Sequence, residues 1–248
     1  SGLTINAVAS IMLAMYQAVA EKFGYPKEKI SATPQNDILK EMIGRGAWIY
    51  PTEPAVRLIG DTLEYCITTL PRCNPVSVCG YHIRESGATP AQEIGCAFEI
   101  ARAYMENVMA RGLAAEDFVG RFSFNFNVYG NLWEQVAKFR AARKLWAKML
   151  RSEYGIKDKK KLFLRGLFGG GGSGLTKEQP ENNIIRSAYY VLGAALGESP
   201  CRNGKISGRC QAGYPCKMPA ILAAASVAMP WRVQLVAEAI WGTMTTLS

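Results

Sequence analysis

His82 is the one histidine in the chain. It follows an apolar run, Pro75 to Tyr81, that reads as a strand leading into a loop. The end of a strand is where barrel enzymes place functional side chains, and the competing reading is a histidine satisfied by backbone in a strand-to-helix connection. Arg45 follows a helical stretch from Asn36 to Gly44. Its guanidinium is a planar fork that matches a carboxylate, although spacing alone favours a surface arginine. Phe122, Phe124 and Phe126 alternate with Ser123, Asn125 and Asn127. A strand of that pattern puts its rings on one side and its polar groups on the other. The glycine run FGGGGSG could cradle phosphate, but the Gly-Lys-Ser ending that such a loop needs is absent. Cys201, Cys210 and Cys216 have neither a nearby histidine nor a CxxC spacing, so no metal site is expected.

The elements that must position these residues follow from periodicity, which switches repeatedly between two and 3.6. Strands alternating with helices predict an α/β fold with a parallel sheet and crossover helices. A first helix over about Ala7 to Phe23 carries Val8, Ile11, Met12, Met15 and Val19 on one stripe and stops at Gly24, with Pro26 beyond. A short strand near Ile30 to Thr33 leads to a helix opening at Asn36 or Asp37, and another helix runs from Glu53 to Leu70. Thr89, Pro90 and Gln92 supply an N-cap, a first-turn proline and a capping-box partner for a helix that ends at Gly112. After the strand from Arg121 to Val128, KFRAARKLWAKMLRSEYG places Phe139, Ala142, Trp146, Met149 and Leu150 at helical spacing. A strand over Leu162 to Leu167, the glycine loop and a helix over Glu181 to Leu196 complete the regular part. In a closed barrel the Ser and Asn face of the Phe-rich strand would turn inward, and a polar interior implies a wet or ligand-filled axis. Residues 198–248 carry no such period and are left unassigned as an atypical tail.

Composition narrows the class further. A chain of 248 residues with 49% hydrophobic residues can bury one sizeable core. No apolar run reaches the ~18 residues of a membrane span, and the start lacks a secretory pattern, so a cytoplasmic protein without membrane association is expected. Seven cysteines at irregular spacing predict free, buried thiols. The net charge of +9 is densest from Lys138 to Arg165. It would suit nucleic acid or the phosphates of a CoA ester, but the helical spacing of the apolar residues there favours a merely solvated face, and no nucleic-acid partner is expected.

The longer motifs carry a more specific signal. TINAVASIMLAMY, ATPQNDILKE, YPTEPAVRLIGD, GYHIRESGAT, RFSFNFN, KFRAARKLWA and LTKEQPENNIIR occur in order between residues 4 and 197. Together they resemble the adenosylcobalamin-dependent acyl-CoA mutases, most of all the large subunit of the methylmalonyl-CoA mutase type. The resemblance implies that residues 1–197 are part of an acyl-CoA-binding (β/α)8 TIM barrel whose N-terminal and C-terminal strands are missing from this stretch. It implies adenosylcobalamin as cofactor, with the cobalt ligand and the cobalamin-binding domain or small subunit lying elsewhere, and an oligomeric intact enzyme. The implied reaction is radical isomerisation of methylmalonyl-CoA to succinyl-CoA, and the fragment alone is expected to be inactive. By the same resemblance, His82 hydrogen-bonds the thioester carbonyl, Arg45 pairs with the substrate's free carboxylate, and Tyr81 and Glu85 lie near the cobalamin and its adenosyl group. Thr33, Pro34 and Gln35 match substrate-contacting positions, with Pro34 offering only its carbonyl. Arg72 stands where a lysine near the CoA phosphates is common, and Arg121, Phe122 and Ser123 match further CoA-contacting positions. The glycine run replaces a histidine and a glutamine frequent in the family, which opens space for a bulkier alkylmalonyl- or succinyl-type ester. A non-catalytic CoA-binding partner subunit is the rival reading from another class.

Overall fold

The structure, a computed structural model, describes residues 2–198. Five parallel strands alternate with helices: β1 Gly2–Leu3, α1 Ala9–Lys22, β2 Thr33–Pro34, α2 Ile38–Lys40, α3 Thr52–Thr69, β3 Val76–Cys79, α4 Gly80–Glu85, α5 Pro90–Met109, α6 Ala115–Phe118, β4 Phe122–Val128, α7 Leu132–Ser152, β5 Gly166–Gly170 and α8 Asn182–Glu198. A π-helical turn, Glu41–Arg45, prolongs α2. β1 pairs with β2, and β3, β4 and β5 pair in that order. The two sheets are tied by Ser77 N–H to the Gln35 carbonyl and Asn74 N–H to the Ala32 carbonyl, each 2.9 Å, so the strands succeed one another in chain order. The tail from 199 onward, with Cys201, Cys210 and Cys216, lies outside the described residues.

The expected alternation in β4 is present. Phe122, Phe124 and Phe126 are buried on the helix side, where Phe124 packs edge-on to Trp146 of α7 at 4.9 Å and to Phe98 of α5 at 5.5 Å. The register sets Ser77 beside Ser123, Cys79 beside Asn125, and Asn125 beside Leu167, so the polar residues share the other face. The start of α5 is fixed as its sequence demands. The Thr89 hydroxyl accepts from Gln92 N–H, the Gln92 side chain accepts from Thr89 N–H, and Pro90 fills the first position.

Four expectations need correction. In α1 the residues facing the core are Ala9 and Leu13, whereas Val8, Ile11, Met12, Met15 and Val19 are exposed; both sides of this helix are apolar at helical spacing, and the small-residue side permits the closer approach. His82 stands not in a loop but in the short helix α4, too short for any period to register. The last strand begins at Gly166 rather than Leu162, so it takes up the first glycines of the run. The basic face of α7 is not wholly solvated, because Lys138 is 5% exposed. Its ammonium donates to Glu93 Oε2 at 2.8 Å and to the Asn127 carbonyl, inside the α5, β4 and α7 packing. No helix among the described residues is long and apolar enough to cross a membrane.

Candidate functional site

Residues from all five strands line one cavity of about 210 Å³, including Leu3, Thr33, Gln35, Ser77, Ser123 and Leu167. Five consecutive strands facing one space means that the sheet curves around it. Its lining comes from the polar face that the alternation of β4 marks out. A larger hollow of about 620 Å³ lies between the outer sides of α5 and α7 and shares none of these residues.

At the C-terminal ends of the strands, α2 and its π turn meet α4. The contact is close: a Cβ on Gly44 would lie 3.2 Å from His82 Cβ and Ile83 N. Ser86 Oγ also donates to the Gly44 carbonyl at 2.7 Å. Arg45 and His82 are thereby carried on adjoining turns. Arg45 is half exposed and holds Glu41 Oε1 at 3.4 Å, an i,i+4 pair of little energetic weight. Glu41 is occupied more tightly by Lys40, which is fully buried and also donates to Gln35 Oε1 at 2.7 Å. Asn6 Nδ2 bridges Gln35 Oε1 and Glu41 Oε1. Gln35 is thus a fixed acceptor at the edge of the cavity, while Thr33 Oγ1 accepts from Asn74 at 3.4 Å.

His82 is half-buried, with Nδ1 3.1 Å from Cys79 Sγ and its ring edge-on to Tyr81 at 5.4 Å. Burial, and the positive charges of Lys40 and Arg45, push its pKa down to about 4. The ring is therefore neutral near pH 7 and suited to hydrogen-bonding a carbonyl rather than to delivering a proton as imidazolium. Behind it stands Asp37, fully buried, which accepts from Cys79 N–H at 2.6 Å, from Tyr104 O–H at 2.6 Å and from Lys40 N–H at 3.3 Å. Burial raises the Asp37 carboxyl above its ordinary value.

Tyr81 and Glu85 clasp the glycine run. The Tyr81 hydroxyl accepts from Gly172 N–H at 3.1 Å, and burial raises the pKa of that phenol. Glu85 accepts from Ser173 N–H at 3.0 Å through one oxygen and from Asn127 Nδ2 through the other. A Cβ on Gly171 would fall 2.6 Å from Asn127 Oδ1 and 2.9 Å from Glu85 Oε1. Gly171→Ala is therefore expected to open this clasp at a cost of about 1–3 kcal/mol, read as a lower urea midpoint and faster amide exchange at Gly172 and Ser173. Unchanged exchange there would refute the clasp.

The remaining predicted residues are spread along the cavity or committed elsewhere. Ser123 lines the cavity and its hydroxyl donates to the Val76 carbonyl at 3.3 Å. Pro34 is buried in β2, and the Phe122 ring packs outward against Phe118. Arg72, exposed, and Arg121 both precede their strands, at the opposite end from His82. Arg121 donates to the Cys66 and Leu70 carbonyls and so closes the end of α3. Cys79, Asp37, Lys40 and Tyr104 were not marked by the sequence, and the clearest available signal was Asp37 as an N-cap. Cys66, Cys73 and Cys79 are free and buried, as expected of these thiols. Among the described residues no three His, Cys, Asp or Glu side chains gather as a metal site.

The profile of the methylmalonyl-CoA mutase family matches residues 1–201. The chain is 40% identical over 195 residues to methylmalonyl-CoA mutase of Cereibacter sphaeroides, covering 79% of this chain and 27% of that protein. It is 40% identical over 196 residues to the 2-hydroxyisobutanoyl-CoA mutase large subunit of Aquincola tertiaricarbonis, covering 78% and 34%. It is 37% identical over 202 residues to ethylmalonyl-CoA mutase of Methylorubrum extorquens, covering 80% and 29%. The chain thus spans between 27% and 34% of the length of these curated relatives.

Proposed function

Because the chain belongs to the methylmalonyl-CoA mutase family, we propose that it forms the acyl-CoA-binding part of an isomerase that interconverts methylmalonyl-CoA and succinyl-CoA. The observation that carries this reading is the curved, polar-lined cavity with Arg45 and His82 on adjoining turns at its C-terminal end. In this reading β1 to β5 are consecutive strands of a (β/α)8 barrel, the rest of which other segments of the whole protein provide. The CoA chain lies along the axis past Thr33, Gln35 and Ser123, with Arg72 at the phosphate end.

Arg45 receives the free carboxylate. Its bond to Glu41 is long and partly exposed, so exchanging that partner for a substrate carboxylate costs little. Neutral His82 donates to the thioester carbonyl and steadies the acyl group without passing it a proton. Tyr81 and Glu85 hold the glycine run across the mouth, which limits water at the reacting carbons. Adenosylcobalamin supplies the radical chemistry when bound. The donor set of this chain fits the rim of such a cofactor rather than its axial ligation, since the single histidine already engages Cys79. The cobalt ligand then belongs to a cobalamin-binding domain or small subunit.

Gly169 supports a second reading of the acyl group. A Cβ there would meet nothing within 4 Å, so the neighbouring space admits a bulkier alkylmalonyl- or succinyl-type ester.

Calorimetric titration of the full chain with succinyl-CoA and with free CoA tests the assignment. Arg45→Ala is expected to weaken succinyl-CoA by about 10- to 100-fold, the equivalent of about 1.5–3 kcal/mol for a charge-assisted bond, while free CoA binds as before. Equal binding of both ligands by the unaltered chain, or no effect of Arg45→Ala, would overturn it.

A further inference from the structure

The geometry around His82 assigns a role to Cys79 that goes beyond the family reading but rests on it, because it concerns which ring nitrogen faces the substrate. Cys79 ends β3 on the same face as Ser77 and directly precedes α4. Its sulfur lies 3.1 Å from His82 Nδ1, and its own N–H is held by Asp37 at 2.6 Å. Asp37 is held in turn by Tyr104 from α5. The thiol therefore has a fixed place beside one edge of the imidazole. Among the described residues Nε2 has no hydrogen-bond partner, so that edge is left for another molecule.

We propose that Cys79 is a positioning residue whose S–H donates to Nδ1 of His82, holding the ring as the Nε2–H tautomer and making His82 a hydrogen-bond donor toward the substrate. Chemistry favours this direction of donation. Burial pushes the Cys79 thiol up to about 12, an effect that Lys40 opposes only in part, so the sulfur keeps its proton. A neutral imidazole offers one good acceptor, its unprotonated nitrogen, whereas a thiol sulfur is a weak acceptor. With the proton on sulfur, the better bond is S–H to Nδ1, and the ring proton then resides on Nε2. The orientation of a catalytic ring through the partner of its other nitrogen is a general device. A carbonyl-recognising histidine needs it, because the opposite tautomer would meet the substrate oxygen with a lone pair.

The experiment uses the full 248-residue chain labelled with 15N-histidine, which contains a single histidine and so gives one pair of ring signals. Two-bond 1H–15N spectra near neutral pH are expected to show a protonated Nε2 and a bare, hydrogen-bonded Nδ1. In Cys79→Ala the Nδ1 signal should move to the position of a free acceptor. The titration midpoint of the ring should rise by about half a unit to one unit, since the neutral form alone has lost a bond of about 1 kcal/mol. Cys79→Ser, whose hydroxyl donates in the same way, should restore both. The charged groups that face the ring, Lys40, Glu41 and Arg45 on one side and Glu85 on its own helix, are unaltered in these variants. A protonated Nδ1 in the unaltered chain would overturn the proposal without any variant having to fold. So would a Cys79→Ala chain whose Nδ1 shift and midpoint match the original. These spectra need no ligand and stand apart from the CoA titrations. If succinyl-CoA fails to bind, the substrate reading fails and the Cys79 assignment is judged on the tautomer alone.

Discussion

Asp37→Ala is expected to lower the stability of the chain by about 3–5 kcal/mol, with the loss concentrated around His82. The carboxylate is fully buried and accepts from Tyr104, from the Cys79 amide and from the Lys40 amide. Alanine removes one acceptor group and strands three donors, and each buried donor left unmet costs about 1–3 kcal/mol. The measurement is the urea unfolding midpoint of the full chain, with the ring signals of His82 as a local probe. A loss below about 0.5 kcal/mol, the size of an ordinary surface change, would show that these bonds do not hold the site. The pH dependence has a definite sign. Burial raises the Asp37 pKa in the folded chain, so the folded state binds the proton more readily than the unfolded state does. That contribution is fully present below the unfolded value of about 3.9 and is lost as pH rises through the folded value. Asp37→Asn has no proton to bind and should show a flatter stability profile across that window.

Lys138→Met is expected to have an effect of similar size from a different cause. Glu93 has no exposure, and its two oxygens serve the Asn127 amide and the Lys138 ammonium. Removing the cation leaves an uncompensated carboxylate in the core, which typically costs about 3–5 kcal/mol. Burial already raises the Glu93 pKa, with Lys138 acting against it. In the variant that opposition is gone, so the carboxyl takes up a proton more readily. The penalty should therefore shrink as pH falls from 7.5 towards 5.5. Adding Glu93→Gln removes the charge while keeping an acceptor for Asn127, so the double variant should recover part of the loss. Urea midpoints at the two pH values decide the matter: a penalty independent of pH, with no recovery in the double variant, would mean that Lys138 matters by packing alone.

Much of the fold was legible because several segments carry local and long-range signals that agree. The Thr89, Pro90 and Gln92 cap, the stripe of α7 and the alternation in β4 each specify an element and the side it buries. α1 misled because Ala9, Leu13, Tyr16 and Ala20 form a second apolar series, and periodicity cannot choose between two such faces. The site was legible only through its named motifs. His82 and Arg45 stand out by type and context, whereas their supports look ordinary in a sequence. Lys138 reads as one more cation in a basic run, Lys40 as a surface lysine, and Cys79 as the last apolar residue of a strand. Each acquires its role from partners distant along the chain: Glu93 for Lys138, Gln35 for Lys40, and Asp37 for Cys79. A one-dimensional pattern records no such partners.

The π turn at Glu41–Arg45 gives the site an unusual kind of evolvability. A turn of this type is an α-helical turn that has absorbed one extra residue, and such turns recur at functional sites. Loss of a single codon there would restore regular winding and rotate every later side chain by about 100°. Arg45 would swing away from the ring of His82, and Gly44 would lose its seat against α4. Preference between an acyl group that bears a carboxylate and one that lacks it could thus change through a one-residue deletion, with no substitution in the cavity wall. Among homologues, length variation in this turn is then as informative about the acyl group as the identity of the arginine itself.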